Sequence, residues 1–328
     1  MRLSRIEKIK DLYNRGLTTS AMYLLKRVEC EVRRKVFRQR FTVVNVNDCK
    51  MYVDLNDPSI SRTLMTFGIR EKEHIYILKK YLRPGDVVLD IGANIGYYVL
   101  IEAKIIGNQG RIYAIEPSPS NIEILKKNVN LNGIEEIVEV SQIGISNKTS
   151  VKRFYVSHMS NLGTFFPTRY YGDSIVDERS PTIDVNTVSI SDFVSDKKEI
   201  AMIRMDIEGY EVEAFEGMIP LLKERSFAPR ILFETHRPKY DDKSHSMRDA
   251  LKAMFKYEYY PMIIVSDNHP KGEFLKRGYK PETLIHTDGY VRGIYYGVTN
   301  KDAIDFICDI GFVRAVLLER RQIDKSDI

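Results

Sequence analysis

Apolar positions along the first forty residues fall at helical spacing. Met22, Leu25, Val28, Val32 and Val36 recur every three or four residues, with Lys26, Arg27, Arg33, Arg34 and Lys35 between them. That spacing predicts an amphipathic basic helix whose stripe packs on the rest of the chain, or lies against an anionic surface. Two alternating runs, 41–46 and 51–55, flank the turn-forming Asn47-Asp48-Cys49-Lys50 and predict a hairpin. A helix over 71–81 then leads to the turn Arg83-Pro84-Gly85-Asp86.

From residue 87 the rhythm changes to short apolar runs alternating with helical segments, the pattern of a parallel sheet with crossover helices. Strands are expected at 87–91, 111–115, 137–143, 201–205 and 230–234, and helices at 95–106, 119–131, 210–224 and 244–256. Ser118 suits a helix N-cap with Pro119 behind it, and Asn132-Gly133 a stop. The stretch 146–200 is too long for an ordinary crossover and should carry strands of its own near 151–156 and 182–188. Runs at 260–265 and 293–299 would complete seven strands. The expected organisation is an extension over 1–82, an α/β domain with a doubly wound, mostly parallel sheet over 83–300, and a helical tail over 301–328.

Composition narrows the class. With 43% hydrophobic and 29% charged residues among 328, the chain can bury a core. No apolar run reaches the roughly 18 residues of a membrane span, and Met1-Arg2-Leu3-Ser4-Arg5 leads into charge rather than the apolar stretch of a secretory signal. A cytoplasmic protein, peripheral to a membrane if the first helix binds one, is the expectation. Cys30, Cys49 and Cys308 stand too far apart in sequence for a C-x-x-C metal site and imply no disulfide framework. The net charge of +5 is uneven: residues 1–40 hold twelve Lys/Arg against four Asp/Glu, the remainder 38 against 41. The basic excess therefore belongs to the leader.

Candidate chemistry begins where the first central strand ends, at Val88-Leu89-Asp90-Ile91-Gly92-Ala93-Asn94-Ile95-Gly96-Tyr97. Glycines there allow close approach of backbone to a ligand. A dinucleotide fold would need glycine where Asn94 and Tyr97 stand, and no Gly-Lys-Ser/Thr follows for a P-loop. Glu116, at the tip of the next strand, suits the hydroxyls of a ribose. The combination describes a nucleoside site.

The segment from Asp90 to Gly96 resembles motif I of S-adenosylmethionine-dependent methyltransferases, and its Ala93-Asn94 form resembles the FkbM family. Glu116-Pro117-Ser118-Pro119, Leu125-Lys126-Lys127-Asn128, Asn161-Leu162-Gly163-Thr164 and Met205-Asp206-Ile207-Glu208-Gly209-Tyr210-Glu211 resemble that family's later motifs in order, from about residue 83 to 236. Tyr210, Phe215 and Arg204 depart from its usual residues. The resemblance implies a class I methyltransferase fold, S-adenosyl-L-methionine as donor, and O-methylation. It assigns Asp90, Gly92, Ala93, Asn94 and Gly96 to the donor turn, Glu116 to the ribose, and Gln142 and Ile143 to the adenine; Asn161, in the insertion motif, and Arg204, whose guanidinium could orient a carboxylate or substrate, are placed on the acceptor side.

Methyl transfer to a hydroxyl needs in-line alignment and a group to take the proton. Period-2 alternation puts Arg204 and Asp206 on one strand face and Glu234 and His236 on another, with Glu208 in the turn; these two strand ends are neighbours in the implied topology. His236 is the first candidate base because its ordinary pKa is near neutral, and Asp206 the second. Glu208 and Glu234 complete the catalytic set. A divalent metal is neither demanded nor excluded by these ligand types. His74, His158, His245, His269 and His286 read as core or solvated residues, and Tyr170-Tyr171 and Tyr257 to Tyr260 as packing.

The expected acceptor is a small molecule, glycan or glycolipid hydroxyl. An RNA methyltransferase, suggested by the basic residues of the leader and of the loop 266–283, and a non-catalytic S-adenosylmethionine-binding regulator are the alternatives. Carboxylates at the site would repel a phosphate backbone, so nucleic acid is disfavoured.

Overall fold

The computed structural model describes residues 17–321 apart from 168–175, 198, 225, 237–239, 241–244, 268–271 and 288–289, with no side-chain account of 17–24. Met1 to Arg5, Tyr170, Tyr171, His269 and residues 322–328 thus lie outside the described residues, as does the Met22 side chain.

The extension contains helix α1 (Leu17–Lys35), the antiparallel hairpin β1 (Phe41–Val46) and β2 (Cys49–Asp54), and helices α2 (Ile60–Phe67) and α3 (Lys72–Tyr81). Strand β3 (Val87–Ile91) opens the α/β part, followed by α4 (Tyr97–Ile106), β4 (Arg111–Ile115), α5 (Pro119–Leu131) and β5 (Val138–Ser141). An insertion supplies β6 (Gly144–Ser146), β7 (Ser150–Tyr155) and β8 (Thr182–Ser189), which form a small sheet of their own. Then come α6 (Ile190–Val194), β9 (Met202–Met205), α7 (Glu211–Leu222), β10 (Arg230–Glu234), α8 (Met247–Lys256) and β11 (Tyr259–Ser266). The chain ends in α9 (Gly272–Lys276), the hairpin β12 (Thr283–Thr287) and β13 (Tyr290–Tyr295), α10 (Asn300–Ile304) running into a π-turn at Asp305–Ile310, and β14 (Val313–Arg320).

The main sheet runs β12-β13-β11-β14-β10-β9-β3-β4-β5. Strands β5, β4, β3, β9 and β10 are mutually parallel, and β14 lies antiparallel between β10 and β11. This is the class I methyltransferase-like, doubly wound α/β sheet, with nine strands where seven were expected. Its alternation separates two cores: Val88 and Leu232 face one together with α4, α5 and the extension, whereas Leu89, Ile91, Ile231 and Phe233 face the other with α7 and α8. Period-2 side-chain alternation in strands covered on both faces produces this division.

Two expectations change. Residues 293–299 do not supply the seventh central strand; β13 sits outside β11 as half of an edge hairpin. Over its described residues, 301–321, the expected helical tail is helical to Ile310, where Gly311 (φ 81) and Phe312 (φ 72) break the helix and β14 enters the centre of the sheet. Ala315 to Leu318 are all buried, as a strand between two neighbours must be.

Helix α1 also differs. It meets the domain through Cys30, whose Sγ lies 3.5 Å from Met65 Sδ, and through Arg33, which donates to Thr42. Its apolar stripe faces outward: Leu25, Val28, Val32 and Val36 are exposed. Among the described residues no helix is long and apolar enough to cross a membrane.

Candidate active site

At the carboxyl end of β3 the chain turns sharply. Gly92 (φ 83) and Ala93 both donate their amides to the carbonyl of Ile115 at 2.9 Å, which pins the turn to the end of β4. A Cβ on Gly92 would lie 2.1 Å from the carbonyl oxygen of Asp206, so only glycine fits. Asn94 (φ 50) takes a left-handed conformation that asparagine tolerates, donating its amide to Glu116 at 2.9 Å and its side chain to the carbonyl of Ser160 at 2.8 Å. Gly96 serves packing: a Cβ there would meet Leu125 at 2.6 Å.

Around this turn lies a cavity, open to solvent, lined by Gly92, Ala93, Asn94, Glu116, Asn161, Arg204, Asp206 and Glu208. A concave site with a few convergent polar groups is the kind of place that takes a small-molecule ligand. Glu116 Oε1 accepts from the Ser118 amide and the Asn121 side chain, and Oε2 from Asn94. Of the roughly four acceptor positions on a carboxylate, three are taken by these donors and one remains for a ligand. Burial pushes Glu116 up to about 7 despite these donors. Asn161 Oδ1 is buried on this cavity with no hydrogen-bond partner among the described residues. A buried, unpaired acceptor is costly and suits a ligand N–H or O–H.

Three assigned residues sit elsewhere. Gln142 is exposed, and Ile143 packs on the second core; Gly144 and Ile145 form the cavity wall at that strand end. The turn beyond β5 carries the chain past residue 142 before it faces inward. Asp90 is fully buried behind the wall, where it accepts from Arg204 at 2.8 Å. Burial, opposed by Arg204, pushes its carboxyl up.

Arg204 stacks 3.7 Å over Tyr98 and donates to Asp206 at 3.2 Å, so it orients a carboxylate on the wall. Because β9 and β10 run parallel in register, with Leu232 beside Arg204, Asp206 and Glu234 finish level. His236 stands among carboxylates: Nε2 is 3.7 Å from Asp206, 3.7 Å from Glu208 and 3.6 Å from Glu234, and Nδ1 is 2.9 Å from Glu211. Asp206 and Glu208 reach the cavity, with Glu234 and His236 behind them. Burial alone would lower the His236 imidazole, but Glu211, Glu208 and Glu234 outweigh it and hold it up to about 10.

Several participants lay outside the sequence reading. Arg314, from β14, pairs with both Glu234 and Glu71, and Glu71 also pairs with Arg70. Arg314 fell in the stretch read as helical tail. Glu211 belonged to the quoted motif, yet only the fold shows it beneath His236, with Tyr240 donating to its other oxygen at 2.9 Å. His245 is a core residue, 2.6 Å from the carbonyl of Gly209 and 3.0 Å from Glu213.

Comparison with known proteins bears on these residues. The family described as Methyltransferase FkbM domain matches residues 90–261, and the one described as Protein-L-isoaspartate(D-aspartate) O-methyltransferase (PCMT) matches residues 6–149. Methyltransferase sdnD of Sordaria araneosa is 25% identical over 170 residues, covering 44% of this chain and 65% of that protein. Hexuronic acid methyltransferase AglP of Haloferax volcanii is 25% identical over 202 residues, 61% of this chain and 71% of that protein. The crystal structure of Methyltransferase FkbM from Methylobacillus flagellatus KT superposes with a TM-score of 0.36 at 16% identity, covering 72% of this chain and 52% of that one. The chain spans 37%, 65% and 22% of the lengths of the first curated relatives it matches.

Proposed function

The chain belongs to the Methyltransferase FkbM domain family, and on that premise we propose that it is an S-adenosylmethionine-dependent O-methyltransferase acting on a hydroxyl of a glycan, glycolipid or secondary metabolite. The observation that carries this reading is one cavity joining the Gly92 to Asn94 turn and Glu116 at one side to Asp206 and Glu208 at the other. S-adenosylmethionine supplies an electrophilic methyl group on a sulfonium. The turn and Asn161 would hold its amino-acid portion, Glu116 one ribose hydroxyl, and Gly144 and Ile145 the base. Asp206, steadied by Arg204, and Glu208 would orient the acceptor. As the acceptor oxygen gains the methyl carbon and the carbon–sulfur bond breaks, the hydroxyl proton passes to one of these carboxylates.

Incubation with methyl-labelled donor and fractionated cell extract tests the reading. An alkali-stable label on a glycan, lipid or metabolite is expected. An alkali-labile label would mark a carboxyl ester instead, and label on RNA would favour the nucleic-acid alternative.

The outward stripe of α1 supports a peripheral contact with an anionic membrane surface. Leu25 (70% exposed), Val28 (60%) and Val36 (68%) project between Lys26, Arg27, Arg33, Arg34, Lys35 and Arg38, against which stand only Glu29 and Glu31. Six basic groups to two acidic ones repel a second copy of the helix and attract anionic headgroups.

A further inference from the structure

The geometry points to a divalent-cation site at the rim of the donor cavity, with Asp206, Glu234 and His236 as ligands for an ion of the Mn²⁺/Mg²⁺ class. One ligand atom from each lies within 4.8 Å of the others. They project from the ends of adjacent parallel strands, β9 and β10, so the backbone ladder sets their spacing.

Three independent features suit an ion. His236 Nε2 faces carboxylate oxygens of Asp206, Glu208 and Glu234 at 3.6 to 3.7 Å, too far for hydrogen bonds and within the roughly 4 Å that two ligands of one ion can span. Its other nitrogen is engaged by Glu211 at 2.9 Å, the carboxylate–imidazole arrangement that aims a ring at a metal. Glu234 is 5% exposed and its Oε2 has no hydrogen-bond partner among the described residues, although Arg314 meets the other oxygen. A buried carboxylate oxygen without a partner is costly, and a cation beside it removes that cost.

Charge leads to the same ion class. Carboxylates outnumber basic groups here, Asp90, Asp206, Glu208, Glu211, Glu234 and Glu71 standing against Arg70, Arg204, Arg314 and the His236 ring, an excess that a cation offsets. Oxygen-rich ligands with no thiolate select hard ions, and the single imidazole shifts preference from Mg²⁺ toward Mn²⁺. Only the ion's role rests on the methyltransferase reading. Because Asp206 also lines the cavity, an acceptor hydroxyl coordinated there would lose its proton to Glu208 or solvent before attacking the methyl carbon.

The test uses the full chain stripped with EDTA and titrated with MnCl2, followed by paramagnetic resonance of free Mn²⁺ and by calorimetry. One bound equivalent is expected, weakened at least tenfold in Glu234→Gln and in His236→Gln. Circular dichroism checks that both variants are folded, and Asp206→Asn replaces either that is not. Absence of stoichiometric binding by the wild type, or equal binding by the folded variants, overturns the proposal. S-adenosylhomocysteine titrated into the same EDTA-treated protein separates the two readings. Nucleoside binding without Mn²⁺ binding removes the ion and leaves the methyltransferase, and the converse removes the methyltransferase and leaves the ion.

Discussion

Asp57 accepts hydrogen bonds from both the amide (3.3 Å) and the hydroxyl (2.9 Å) of Ser160, a residue 103 positions further along the chain. The carbonyl of Ser160 in turn accepts from Asn94 and Asn121, so the extension, the insertion and the donor turn meet at one residue. Asp57 also takes the amides of Ser59 and Ser61. Asp57→Ala should therefore loosen the loop carrying Asn161. We expect S-adenosylhomocysteine affinity to fall about tenfold and stability by about 1–3 kcal/mol; calorimetry and urea unfolding measure the two.

Gly92→Ala should cost about 2–4 kcal/mol, combining the left-handed conformation with overpacking against the Asp206 carbonyl. Urea denaturation checks this, and a loss under 1 kcal/mol would contradict the geometry. Donor affinity should fall with it, because the turn shifts rather than because the cavity fills.

Donor binding should depend on pH through Glu116, which burial pushes up to about 7. Above that pH the ionised carboxylate accepts a stronger, charge-assisted bond from the ribose; below it, protonation weakens the bond. Affinity should thus rise as pH increases through about 7, and Glu116→Gln should flatten the curve. Titrations from pH 5.5 to 8.5 test this.

Asp206→Asn should lower kcat by about 10²- to 10⁴-fold while leaving the donor dissociation constant within about threefold. Single-turnover kinetics and calorimetry separate the two quantities. A fall in donor affinity that matches the loss in turnover would move Asp206 from chemistry to binding.

Replacing Leu25, Val28 and Val32 together by serine should abolish cosedimentation with phosphatidylserine vesicles. Vesicles of phosphatidylcholine alone should not retain the wild type, since the attraction is partly electrostatic. Equal sedimentation of wild type and variant would sink the surface-contact reading.

What the amino-acid order determined by itself was local or motif-borne. The short apolar runs at 87–91, 111–115 and 230–234, the Pro119 start and the glycine turn from Gly92 are all signalled within a few residues. The Asp206 to Glu211 segment was legible as a motif through its resemblance to the family. What only the tertiary structure decided depends on contacts between distant segments. Val313–Arg320 is a strand because neighbours on both sides complete its ladder, and it delivers Arg314 to Glu234. His236 has an ordinary near-neutral pKa as an isolated side chain, but four carboxylates from the ends of β9 and β10 and the α7 entrance surround it and shift its titration upward. Electrostatic environment is a property of positions in space, and spacing along a chain does not encode it.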